Sequence, residues 1–355
     1  MEMTKAYEKT LIFGAGLCGL TLAYRLQKAG LQPLLLEARS RIGGRIHTVS
    51  SSDGTRIEMG ATWLGRKHTA LMELVDELGI EIEEQYLSDR AIYEPMSTRP
   101  PKLVQLPPNN DPSYRISGGT EVLIHRLADA LATDSILLNQ QVKAIQQKGA
   151  SIEVVTNTES FQVGCVVSTL PPHLLFQSVD FTPALPAAMQ TLASHTHTWM
   201  GESIKFGFSY ATPFWRSEQS SGTLVSNVGP VNEMYDHSNM EAGKYALKGF
   251  LNGAYGQVSK EERRDLILRQ LRKYYGKEIE NYTDYQEQVW SQEPLTFKAY
   301  KDGLLPHQNN GHSNYRQPLW GGQFFVAGSE TAAQFPGYMD GAIRSANWVF
   351  EQMLD

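Results

Sequence analysis

The hydrophobic pattern changes period early in the chain. Thr10 to Phe13 is a short apolar run, as expected of a parallel strand covered on both faces. After Gly14-Ala15-Gly16-Leu17-Cys18-Gly19, the apolar positions Leu22, Leu26 and Ala29 recur at helical spacing, and Gly30 fits a helix C-terminus. A second apolar run, Pro33 to Leu36, stops at Glu37. The pattern predicts a strand–helix–strand unit.

Further along, Leu71 to Gly79 reads as a short helix. Residues 81 to 113, with "STRPPKLVQLPPNNDPS", read as loop and edge structure. Ser117 to Leu131 is a glycine turn feeding an amphipathic helix, and "ILLNQQVKAIQQ" is strand-rich. "FQVGCVVSTLPPHLL" reads as one buried strand ending in a Pro-Pro turn. Between residues 176 and 298 the pattern gives short strands and one clear helix, Lys260 to Tyr275, with Ser259 and Glu262 as its capping box. The last segment is an apolar run followed by a helix whose buried face carries Ala342, Ile343, Ala346, Val349 and Phe350. Neither an internal repeat nor a long linker is visible.

Composition narrows the class. With 355 residues, 41% of them hydrophobic and 20% charged, the chain suits a soluble enzyme of one large domain or two modest ones. A net charge of −6 offers no basic excess for nucleic acid. Cys18 and Cys165 both sit in apolar stretches and read as buried free thiols rather than a disulfide framework. "MEMTKAYEK" has no apolar core of a signal peptide, and no run reaches membrane-spanning length, so a cytoplasmic location is expected. His195 and His197 have no third ligand at sensible spacing and no carboxylate nearby, so no metal site is expected.

The glycines of Gly14-x-Gly16-x-x-Gly19 allow a tight turn, close backbone approach to a pyrophosphate and close packing of helix on strand. The helix N-terminus offers amides to phosphate, and Glu37 can accept hydrogen bonds from ribose hydroxyls. NAD and FAD both contain the ADP half that such a unit reads. The residues after Glu37 separate them. "EARSRIGGRIHT" carries R-x-G-G-R, ending in Gly43-Gly44-Arg45. A dinucleotide unit followed by this motif resembles the flavin-containing amine oxidase family of monoamine and polyamine oxidases. The likeness runs in patches over nearly the whole chain, including "IEMGATWLG", "FVAGSET" and "GYMDGA".

The resemblance implies an α/β fold: a Rossmann-like FAD-binding domain and a discontinuous α+β substrate domain, arranged as in the amine oxidases. The FAD domain would take residues 1–80, 114–175 and 299–355, and the substrate domain 81–113 and 176–298. It implies FAD contacts from Gly14, Gly16, Gly19, Glu37, Ala38, Arg39, Gly44, Arg45, Gly60, Ala61, Thr62, Val142, Trp290, Gly328, Glu330, Gly337, Tyr338, Met339 and Ala342. Arg45 would lie along the pyrophosphate, Val142 against adenine, and Glu330 near the phosphates or ribityl chain. The helix starting near Gly337 would direct its N-terminus at the flavin pyrimidine edge, where reduced flavin is negative.

In "GESIKFGFSYATPFW", Lys205 resembles the family lysine that reaches flavin N5 through a water. Strand alternation by itself leaves Lys205 either buried or turned to solvent. Tyr338 resembles one wall of the family's aromatic pair, and counting from Trp290 puts Tyr300 at the other. The same count puts Ala299 where monoamine oxidases bond a cysteine to the flavin, which implies FAD held non-covalently. The implied activity is oxidation of an amine, with dioxygen reoxidising the cofactor to give hydrogen peroxide. An L-amino-acid oxidase would need an arginine for the substrate carboxylate, for which Arg90 and Arg216 are candidates. Desaturases of the superfamily would not need the tyrosine pair, and a non-catalytic flavoprotein scaffold would not need Lys205. The family's helical insertion before the "SGGT"-like segment is short here. That leaves the cavity open, or closed by another subunit, and an oligomer is compatible with the sequence.

Overall fold

The computed structural model describes residues 9–239 and 243–354. Five short parallel strands form its first sheet, in the order Phe324–Val326, Cys165–Ser168, Thr10–Phe13, Leu34–Leu36, Ile136–Leu137. Ile12, Leu35, Val167 and Phe325 face the helices Leu17–Lys28 and Met339–Leu354. Leu11, Phe13, Leu36, Val166 and Val326 face a second layer. That layer is a four-stranded sheet in the order Ser160–Val163, Ser151–Thr156, Val142–Lys148, Asp180–Thr182. Covering both faces explains why these strands read as continuous apolar runs.

The first helix stops as its sequence predicts. Gly30 takes a positive φ of 87°, and the amide of Leu31 donates to the carbonyl of Leu26.

One part of the sequence pattern resolves differently. "FQVGCVVS" is two strands rather than one. Ser160–Val163 pairs in the antiparallel layer and Cys165–Ser168 in the parallel sheet, with Gly164 between them. A run of apolar residues does not report that its two halves pair with different neighbours. Pro171-Pro172 opens a helix, Pro172–Ser178, because a proline in the first turn lacks only an amide that would be unpaired there.

The second part of the fold is a seven-stranded sheet. Its order is Tyr282–Val289, Ile204–Tyr210, Tyr245–Leu251, Val231–Asp236, Leu224–Ser226, Arg90–Glu94, Lys102–Gln105. The segment 81–113 thus supplies its edge hairpin. On one face, Ile204, Phe206, Phe208 and Tyr210 pack with Ile267, Leu271 and Tyr275 of the helix Lys260–Tyr275. That helix is capped by Ser259 Oγ, which accepts the Glu262 amide at 3.2 Å. The opposite face carries Lys205, Gly207 and Ser209, and it meets the strand Arg56–Glu58 and its continuation. Gly207 makes this approach feasible: a Cβ there would lie 2.5 Å from Ile57 Cγ2. Every residue of Ile204–Tyr210 is therefore buried, Lys205 included. Among the described residues, no helix is long and apolar enough to cross a membrane.

Candidate active site

One cavity of about 640 Å³ runs from the C-terminal ends of the parallel strands to the face of the seven-stranded sheet. Most of the residues singled out in the sequence line it. Gly14, Gly16, Glu37, Ala38, Arg39, Gly44 and Arg45 do so at one end. Ala61, Thr62, Trp290 and Lys205 come from the other side, with Val142, Gly328, Gly337, Tyr338, Met339 and Ala342 along the walls.

The loop after the first strand fits a dinucleotide phosphate. Gly14 has a φ of 106°, and a Cβ there would lie 2.5 Å from Thr169 Oγ1. Gly19 does not line the cavity. A Cβ on it would lie 2.1 Å from the Gly14 carbonyl oxygen, so it holds the helix against the strand end. No side chain caps this helix at Gly16, which leaves its first amides facing the cavity for an anion. The buried Glu37 carboxylate accepts the amides of Ala15 and Arg39, each at 2.9 Å, and keeps lone pairs for ribose hydroxyls. Arg39 reaches across to Thr296 Oγ1 at 2.5 Å.

Arg45 grips Glu330 in a fork, Nη1 to Oε1 at 2.6 Å and Nη2 to Oε2 at 2.8 Å. It also donates to Ser329 Oγ at 2.9 Å and to the Trp199 carbonyl at 3.3 Å. Glu330 is wholly buried behind Arg45 and does not itself line the cavity. Burial alone would raise its pKa. The Arg45 guanidinium and the hydrogen bonds from Arg45 and Ser329 outweigh that and hold it below the ordinary carboxylate range.

Lys205 Nζ donates to the Gly60 carbonyl and lies 5.1 Å from the ring centre of Phe250. Burial brings its pKa down to about 8, with Glu58 acting in the opposite sense. Gly60 lies behind the cavity wall, packed so closely that a Cβ would sit 2.2 Å from the Arg45 carbonyl oxygen. Trp290 Nε1 donates to the neighbouring Met59 carbonyl at 2.8 Å, so this loop is pinned from two sides.

Tyr300 is not brought to the cavity. Its hydroxyl accepts the Thr198 amide at 2.6 Å, and its ring packs on His173, His197 and Phe297. The rings around Tyr338 are instead His307, stacked at 5.8 Å, His68 at 5.9 Å and Trp199, tilted at 6.0 Å, of which His68 and Trp199 line the cavity. His307 also stacks on Trp199 at 3.8 Å. Spacing along an aperiodic loop fixes a residue's count, not the direction of its side chain, and here the Thr198 amide and His173 hold Tyr300 elsewhere. Trp199 lies in "HTHTWMGES", where nothing in the local pattern marks it as facing the cavity.

His195 and His197 do not converge. His195 Nδ1 meets the Thr191 carbonyl at 2.9 Å, whereas His197 Nε2 lies 3.3 Å from Glu202, so a carboxylate does stand beside His197, contrary to the sequence expectation. Among the described residues, no group of three His, Cys, Asp or Glu is arranged to hold a metal. Arg90 and Arg216 do not line the cavity either; Arg216 is bonded to Asp236 at 2.6 Å. Cys18 borders the cavity, but burial pushes its thiol up to about 12, so it stays protonated. The sequence reading missed Lys248, which is fully buried behind Thr62. Its signal was present in "YALKGFL", a lysine inside an apolar run as at Lys205.

A dinucleotide cradle opening onto the face of a second sheet defines the architecture of an oxidoreductase that holds a dinucleotide cofactor. The family described as flavin containing amine oxidoreductase matches residues 17–99 and 101–349, and the chain belongs to that family. The probable flavin-containing monoamine oxidase A of Dictyostelium discoideum is 23% identical over 458 aligned positions, covering 99% of this chain and 98% of that protein. That alignment is longer than the chain because the relative carries segments that are missing here. The putative flavin-containing monoamine oxidase AofH of Mycobacterium tuberculosis is 32% identical over 235 residues, covering 65% of this chain and 50% of the relative. A solved structure of wild-type putrescine oxidase bound to putrescine shares the fold, with a TM-score of 0.83 at 24% identity over 95% of this chain and 97% of that one.

Proposed function

We propose that this chain oxidises the C–N bond of a small amine, using FAD held non-covalently and dioxygen as the final acceptor. The observation that carries this reading is the continuity of the cavity, which joins the Glu37 end to Lys205, Trp199 and Tyr338 without a break. A relative that binds putrescine supports the substrate class.

Gly14, Gly16, Glu37 and Arg45 would hold the cofactor's adenosine and phosphate groups, and the helix from Met339 would face its ring system. When bound, the flavin supplies the hydride acceptor that turns the amine into an imine, and dioxygen then takes the electrons as hydrogen peroxide. The chain's own residues do the rest. Trp199 and Tyr338 present aromatic faces to an amine nitrogen. The substrate must arrive as a neutral amine to give up hydride, so activity should rise with pH. Lys205, with its pKa near 8, can hold a water and move a proton to or from it within the working pH range. Water hydrolyses the imine to an aldehyde or ketone plus ammonia or a smaller amine. Non-covalent binding fits a lining whose cysteine, Cys18, keeps its thiol protonated; Ala299, like Tyr300, lies outside that lining, so the count from Trp290 does not bear on it.

The test is anaerobic mixing of the flavin-loaded protein with a panel of monoamines, diamines and amino acids, followed in the visible flavin band. The expected result is bleaching by an amine, with peroxide formed on admission of air. Lys205→Met should slow turnover by roughly tenfold or more. Bleaching without peroxide would overturn the oxidase assignment in favour of a dehydrogenase. No bleaching by any amine, with flavin bound, would overturn the reading altogether.

A further inference from the structure

A second lysine lies beneath the same loop. Lys205 and Lys248 come from neighbouring antiparallel strands, with Lys205 opposite Phe250 and Gly207 opposite Lys248. The two amines therefore project from one face of the sheet. Lys248 Nζ donates to Thr62 Oγ1 and lies 4.5 Å from the ring centre of Trp63 and 5.9 Å from that of Phe250. Thr62 Oγ1 donates to the Gly60 carbonyl at 3.2 Å, and that carbonyl also accepts from Lys205. One hydroxyl and one carbonyl thus join the two amines, and Thr62 forms part of the cavity wall.

The surrounding charges do not balance two ammoniums. Glu58 is the carboxylate that acts on both lysines. It is buried, accepting Thr48 Oγ1 at 3.0 Å and the Thr120 amide at 2.6 Å. Arg115 brings a further positive charge toward Lys248, but it is held by Glu83 at 2.7 Å and by His237 Nδ1 at 3.0 Å. His237 is kept neutral, first by burial and then by Arg115 and the two lysines. Burial, followed by the Lys205 charge, likewise holds Lys248 well below the usual lysine range. A neutral Lys248 amine still donates to Thr62.

We propose that Lys248 is a positioning residue of this site: through Thr62 it fixes the loop that bears the Gly60 carbonyl, and it is coupled to Lys205 through that shared hydroxyl and carbonyl. Replacing Lys205 removes one of the charges that disfavour a Lys248 ammonium, so Lys248 should hold its proton to higher pH, with its burial still opposing. The kinetic arm of the test rests on the amine-oxidising reading; the titration arm does not, so the two failures can be told apart.

The full-length, flavin-loaded protein is labelled with carbon-13 at lysine, and the ε-carbon resonances are followed with pH. The two sites are assigned by their loss in Lys205→Met and Lys248→Met. In the wild type, Lys205 should lose its proton near pH 8, and Lys248 should lose its proton below the ordinary lysine range. In Lys205→Met, the Lys248 resonance should titrate at higher pH than in the wild type. A Lys248 that titrates in the ordinary lysine range in the wild type, or whose titration does not move in Lys205→Met, overturns the coupling. In turnover, Lys248→Met should lower kcat by roughly tenfold to a hundredfold with KM nearly unchanged. Thr62→Val, which keeps both lysines, should reproduce that loss. Full activity in Thr62→Val overturns the role assigned to the Thr62 link.

Discussion

Replacing Arg45 by Met would leave Glu330 as an uncompensated charge in a site from which water is excluded. Glu330 is 0% exposed, and two of its hydrogen bonds come from Arg45, at 2.6 and 2.8 Å. The Ser329 hydroxyl at 2.8 Å and the Trp199 amide at 3.3 Å would remain, too few donors for a buried carboxylate. Removing one partner of a buried pair typically costs about 3–5 kcal/mol. Arg45 is 27% exposed, so the lower end, about 3 kcal/mol, is expected. The pH dependence gives a sharper test. In the wild type the Glu330 carboxyl is held below its unfolded value, so its contribution is present above that value and lost as pH falls through the folded one. In Arg45→Met, burial is opposed only by the remaining Ser329 and Trp199 hydrogen bonds and raises the folded value above the unfolded one. The folded variant then binds more protons than the unfolded chain at mildly acidic pH. The deficit should be larger at pH 8 than at pH 5. The assay is denaturant unfolding at both pH values for the wild type, Arg45→Met, Glu330→Gln and the double variant. A coupling energy of roughly 2 kcal/mol is expected from the cycle at pH 8. Additive single effects, or a deficit that grows toward acid, would refute the reasoning.

Gly207→Ala should push the strand Arg56–Glu58 off the seven-stranded sheet, because its Cβ would meet Ile57 Cγ2 at 2.5 Å. A loss of about 1–3 kcal/mol in denaturant unfolding is expected. Tyr300→Phe should cost about 1 kcal/mol by removing the acceptor of the Thr198 amide, yet leave kcat/KM within about threefold. Tyr338→Leu should lower kcat/KM roughly tenfold or more while leaving unfolding little changed, since Tyr338 is 41% exposed at the cavity. Equal kinetic losses in the two tyrosine variants would place both rings against the substrate and contradict the Trp199 pairing.

Local pattern by itself determined the strand–helix–strand unit from Thr10 to Leu36, its glycines and its terminal Glu37. Each of these depends on neighbours a few residues away: the helical period, the left-handed turn, and the acid at a strand end. The R-x-G-G-R motif after it pointed to a flavin only through its resemblance to the flavin-containing amine oxidase family. Alternation showed that Lys205 shares a face with Gly207, but not whether that face was covered. The answer came from Arg56–Glu58, far away in sequence, packing onto that face and enclosing Lys205 with Lys248 and Glu58. The same limit applies to Tyr300, whose direction is set by Thr198 and His173 rather than by its own segment. The division of "FQVGCVVS" between two sheets depended likewise on strand partners far along the chain. Whether a side chain is charged, buried or paired depends on what is packed against it, and for these residues the tertiary structure alone supplied that neighbour.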